Sequence, residues 1–256
     1  MGENPIEKTI KLIQEDRSYR YLELRSDGTA LYVDADDDVT RYKFKYTYDA
    51  DAKKIYMRLE KLAYYDELVT YDEGLALIDE EYSVAALKEW IKEEYDDWGK
   101  EKSDSYEDFE KDWYEEEGFD SLAAYAEYYK QEEKDYIKAA FGAQITYSYK
   151  IDGGKMTLTE KFTGVKNLFD SSCDYLSNET RCYIYNDWAE IRFDDGEREY
   201  YGVPNTDKNT IAFINDDDGS IVNATYTENI SAETVTIKFR DKDYVCEFEG
   251  NKFIQE

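Results

Sequence analysis

The chain has 256 residues, of which 61 are acidic and 32 basic, giving a formal charge of −29, and it contains no histidine. That charge repels nucleic acid and anionic lipid, and the missing imidazole excludes Ser-His-Asp and Cys-His catalysis, His-ligated zinc and c-type haem. Aromatics at 16% set it apart from the ring-poor sequences that stay disordered, and no run approaches the roughly 20 apolar residues a membrane helix needs.

At the N-terminus, Asn4-Pro5 is a helix-start signal, and Ile6, Ile10 and Ile13 follow at helical spacing, predicting a short helix within residues 1–16. The start Met1-Gly2-Glu3 fits a native N-terminus or one left by removal of an export signal. From residue 17 the apolar period becomes two. Leu22 and Leu24 precede the turn Asp27-Gly28, and Leu31 and Val33 follow it. Tyr42, Phe44, Tyr46 and Tyr48 alternate with Lys43, Lys45 and Thr47, and Ile55, Met57 and Leu59 continue the alternation, as half-buried antiparallel strands do.

The segment 62–142 differs. Between Leu62 and Phe141 there are 26 acidic and 8 basic residues, a net of 8 − 26 = −18. Its apolar spacing is helical, with Ser83, Ser105 and Asp120 as N-caps and Gly118 and Gly142 as stops. Period two then returns. Ile145, Tyr147, Tyr149 and Ile151 share a face, and strands continue through Phe248, separated by turns at Asp152-Gly153-Gly154, Asp195-Gly196 and Asp218-Gly219. The pattern predicts a mainly β protein with an α insertion, in which residues 17–61 and 143–256 form one meandering antiparallel sheet, closed into a barrel or folded into a sandwich, and 62–142 an acidic helical insertion. The hairpins at 46–61, 147–161 and 226–239 share a Tyr-x-Tyr or Tyr-Thr strand, a turn and an aliphatic strand, which fits either an internal repeat or the common grammar of meanders.

Asp27-Gly28-Thr29 between strands and these hairpins resemble the lipocalin-like proteins of bacterial cell envelopes, over 17–61 and 145–250. The resemblance implies an up-and-down barrel, export, frequent lipid anchoring and binding of an apolar or amphipathic molecule. The Gly-x-Trp signature of lipocalins is absent.

The residues themselves define no reaction. Asp34 to Asp38 and Asp216-Asp217-Asp218-Gly219 fail the calcium-loop spacing, so no metal site and no cofactor are expected. Cys173 and Cys182 could close a disulfide loop or remain free thiols, and Cys246 alternates with Tyr244 and Phe248 as a strand-core residue. Trp90, Trp98, Trp113 and Trp188 could stack on sugars, but their spacing favours packing. Buried tyrosine hydroxyls need partners, which favours a pocket lined by Tyr42, Phe44, Tyr46, Tyr48, Tyr147, Tyr149 and Tyr226. The expected function is non-catalytic, extracytoplasmic binding of an apolar small molecule, in the barrel or under the helices. The alternative is an interaction module with a filled barrel that meets a protein partner through its acidic helices, and a carbohydrate-active enzyme stands third.

Overall fold

The computed structural model describes residues 6–34, 39–64, 67–177, 179–193 and 199–255. The Asn4-Pro5 pair, the acidic run 35–38 and the Asp195-Gly196 turn lie outside them. The chain divides into a β unit, Met1–Leu68 with Ala139–Glu256, and a helical unit, Val69–Lys138.

Five strands begin the β unit: β1 (Ile10–Gln14), β2 (Arg20–Leu24), β3 (Thr29–Asp34), β4 (Val39–Asp49) and β5 (Lys54–Tyr64). After a short β6 (Glu67–Val69) come α1 (Tyr71–Glu81), α2 (Val84–Asp97), α3 (Tyr106–Glu115) and α4 (Leu122–Gly142). The chain returns to the sheet as β7 (Ile145–Asp152) and β8 (Lys155–Lys161). Nine strands follow without further helices of comparable length: β9 (Cys173–Ser177), β10 (Thr180–Ile184), β11 (Ala189–Phe193), β12 (Glu199–Gly202), β13 (Pro204–Asn205), β14 (Thr210–Asn215), β15 (Ile221–Asn229), β16 (Thr234–Phe239) and β17 (Lys242–Phe248). Last comes β18 (Lys252–Gln255).

These strands form two closed antiparallel barrels of eight strands each, where the sequence pattern predicts one sheet. The first contains β1–β5, β7, β8 and β18, and the second β9–β12 and β14–β17. The second barrel is an insertion between the last two strands of the first. Strand β18 closes the first barrel by pairing with β1, Leu12 opposite Gln255, and with β8, Leu158 opposite Phe253. Strand β17 closes the second on β9, with Phe248 opposite Cys173. Hairpin spacing specifies which strands are neighbours, whereas the two closing pairs join segments far apart in sequence, so spacing carries no information about them.

The Asp-Gly turns form as their chemistry requires. Asp27 Oδ1 accepts from Thr29 N at 2.9 Å, and Gly28 takes φ 86°, a left-handed conformation that glycine enters without steric cost. Asn215 Oδ1 accepts from Asp217 N and Asp218 N at 2.9 and 3.0 Å, so the second acidic run is a capped turn.

The expected N-terminal helix is a strand. Ile10, Leu12 and Gln14 face inward on β1 while Lys11 faces solvent. Apolar residues at 10, 12 and 13 satisfy both periods over so short a stretch, and the gap between β2 and β18 is filled by strand pairing. In the helical unit, Ser83 Oγ accepts from Ala86 N and Ser105 Oγ from Asp108 N, as predicted. Ser121, not Asp120, caps α4 by accepting from Ala124 N. Helix α1, whose capping box joins Thr70 and Glu73, is not among the helices that the sequence pattern predicts.

Candidate functional site

The first barrel is filled. Alternation places Leu22, Phe44, Met57 and Leu158 inside, and all are buried. The segment joining the barrels contributes Phe169, whose ring meets Tyr42 edge-on at 4.8 Å and Phe44 at 5.7 Å. A left-handed residue, Asp170 at φ 52°, follows it. The void remaining among Tyr42, Phe44, Tyr147, Phe169 and Phe253 is about 20 Å³, room for one water.

Tyr42, Phe44 and Tyr147 are thus brought together, but around a space too small for an organic ligand. Tyr46 is buried in the same barrel, and its hydroxyl donates to the Arg25 carbonyl. Tyr48 and Tyr149 are half-buried and line no part of this void. Tyr226 lies in the second barrel, where its hydroxyl is buried with no hydrogen-bond partner among the described residues. The seven residues therefore do not surround one cavity.

Beside the void runs a buried polar chain with no sequence signature. Tyr32 Oη donates to Gln14 Oε1 at 3.2 Å, and Gln14 Nε2 donates to Asn251 Oδ1 at 2.8 Å. Asn251 donates both its backbone N–H, at 3.0 Å, and its Nδ2, at 2.9 Å, to Glu160 Oε2, while Ser171 Oγ donates to Glu160 Oε1 at 3.1 Å. Glu160 points inward from β8 and is 4% exposed. Burial pushes its carboxyl up to about 7, against the hydrogen bonds from Asn251 and Ser171, and the Asp170 charge adds to the rise. Burial also raises the Tyr147 phenol opposite it, with the Glu160 charge adding to the effect.

The second barrel holds Cys173, Cys182 and Cys246 as buried free thiols. Cys182 lies opposite Tyr175 and Cys173 opposite Ile184 on the β9–β10 ladder, and the sulfur nearest Cys182 is that of Cys246, which donates to it at 3.8 Å. That hydrogen bond and burial raise the Cys182 thiol, and burial raises Cys173. Thiolate is the reactive form, so a disulfide-exchange reagent should label none of the three in the native protein and all three in guanidinium chloride. Rapid labelling of any one without denaturant would show that the barrel opens.

A larger cavity than this void lies in the helical unit. Its core is Leu87, Ile91, Phe109, Leu122 and Ala126. Beside this core, α3 and the turn after α2 leave a cleft of about 480 Å³. Trp98, Phe109, Trp113 and Tyr125 supply its rings; Trp98 packs edge-on to Phe109 at 5.1 Å, and Phe109 lies 5.8 Å from Trp113. Gly99 permits this packing, because a Cβ there would lie 2.8 Å from the Phe109 ring. Asp112, Glu116 and Glu117 stand on the same cleft with Lys102 and Ser103. Glu117 accepts from Tyr129 Oη at 3.3 Å, and the Trp98 indole N–H donates to Glu94. Lys102 holds its ammonium 4.7 Å from the centre of the Trp98 ring.

Trp98 and Trp113 partly pack, as their spacing predicts, yet both also line the cleft. The spacing of Trp98, Phe109 and Trp113 gives no hint of it, since the first precedes a turn and the others share a helix face. Comparison with protein-family models, curated proteins and solved structures finds no match to this chain.

Proposed function

We propose that this is a non-catalytic binding protein that receives a small ligand in the aromatic cleft of the helical unit. The observation that carries the reading is the contrast in size. The cleft, at about 480 Å³, lies within the roughly 300–1,000 Å³ of small-molecule sites, while the tyrosine-lined void of the first barrel takes one water. In the β unit Glu160 and the three thiols are buried, and the void beside Glu160's neighbours Tyr147 and Asn251 holds only one water, which supports binding over catalysis. An extracytoplasmic, lipid-anchored setting belongs to the same proposal and rests on the resemblance to envelope lipocalin-like proteins.

Fragment screening by heteronuclear NMR tests it. Hits should shift the indole N–H resonances of Trp98 and Trp113 and leave barrel amides such as those of Ile237 and Leu158 unmoved. Hits confined to the barrels, or a library without hits on the indoles, would defeat the reading.

A further inference from the structure

We infer that the occupant of the cleft is a small organic cation, an ammonium head on an apolar body, and that Lys102 holds its place in the free protein. The inference rests on the reading of the cleft as the binding site and specifies what that site selects.

Three features of different origin agree. The first is the ring set. An indole face attracts a cation through its quadrupole and an alkyl chain through contact area. The second is the charge on the cleft, where Asp112, Glu116 and Glu117 face one cation, Lys102. Among the described residues neither Asp112 nor Glu116 forms an ion pair, whereas nearby Glu110 is bridged by Lys88 and Glu115 by Lys111. The helical unit as a whole has 24 carboxylates and 8 lysines, a net of 8 − 24 = −16, so its field concentrates cations and repels anions.

The third feature is Lys102 itself. It is an exposed residue, free to leave its ammonium in water, yet the ammonium lies over the Trp98 ring. The cleft therefore already solvates an alkylammonium supplied by its own chain. A free ligand with a weaker hydration shell, such as a quaternary ammonium, loses less on entering and displaces it.

The experiment uses three probes, each with a chain of six carbons, on the whole protein: hexyltrimethylammonium, hexanol and hexanoate. Titrations followed by Trp98 and Trp113 indole shifts should show binding of the ammonium, much weaker binding of the alcohol and none of the acid. Lys102→Ala, at an exposed position, should tighten the ammonium roughly fivefold, the size of a cation–π contact released to the ligand. Asp112→Asn with Glu116→Gln, also at exposed positions, should weaken it by about the same factor or more. Equal or tighter binding of hexanol or hexanoate would overturn the inference while leaving the cleft a binding site. Ammonium binding unchanged by both variants would overturn it as well, since that marks diffuse attraction to an acidic surface. Failure of all three probes beside fragment hits on the indoles would reject the cation alone; failure of every compound would reject the site.

Discussion

A chain ended at Gly250 should lose the first barrel and keep the second. Removing β18 leaves β1 and β8 with unpaired edges across a gap that no other strand can fill. It also removes Phe253, 1% exposed, which packs edge-on to Tyr147 at 6.0 Å and to Tyr32 at 6.3 Å. The second barrel does not depend on this strand, because β17 pairs directly with β9. Amide hydrogen exchange should therefore show protection lost in β1, β2 and β8 and retained in β10, β16 and β17. The milder Phe253→Ala keeps the backbone ladder and should cost about 3–5 kcal/mol, the range for a buried aromatic truncated in a core. A truncated chain in which β1 and β8 stay protected would mean that the first barrel is stable as an open sheet.

That dependence on the final strand is also where the sequence ceases to be readable. The strands themselves are legible. Asp27-Gly28, Gly153-Gly154 and Asp218-Gly219 turn the chain where their backbone preferences say, with Gly28, Gly153, Gly154 and Gly219 all at positive φ. The helical segment is legible for the same local reason, since Ser83 and Ser105 satisfy backbone donors within three residues. The partner of Phe253 or Cys173 is a different kind of fact. Leu158 is near Tyr149 through a hairpin, but its pairing with Phe253 spans a whole inserted barrel. The similar hairpins reflect this. Those of β4–β5 and β7–β8 share one barrel while β15–β16 lies in the other, and no residue in them records the division. The tyrosine faces mislead for a related reason. Alternation correctly places Phe44, Tyr46 and Tyr147 inside, but whether an interior is open depends on what enters from elsewhere. Here Phe169, on a non-strand linker, fills it.

The stability of the β unit should fall as pH rises from about 5 to about 8, and Glu160→Gln should remove most of that slope. The folded carboxyl keeps its proton to about 7, against an ordinary value of 4.5, because burial in β8 disfavours the anion. Between those values the folded chain binds a proton that the unfolded chain has released. The stabilisation is therefore complete below the unfolded value and is lost as pH rises through the folded one. At about 1.4 kcal/mol per pH unit the span is on the order of 3 kcal/mol. The absence of histidine makes this measurable, because apart from the α-amino group no ordinary side chain titrates in that window. Burial raises other carboxyls of the β unit as well, so the Glu160→Gln variant is what isolates the Glu160 share of the slope. Asp170 is raised by burial from a lower starting value, and the phenols of Tyr32 and Tyr147 are raised away from neutrality. Glutamine reproduces the neutral form, with a carbonyl to accept from the two Asn251 donors and an amide to donate to Ser171 Oγ. Urea unfolding of both proteins across the window should give a sloping profile for the wild type and a nearly flat one for the variant. Parallel profiles would mean that Glu160 is already ionised in the folded state, with water reaching it through the small void beside Tyr147.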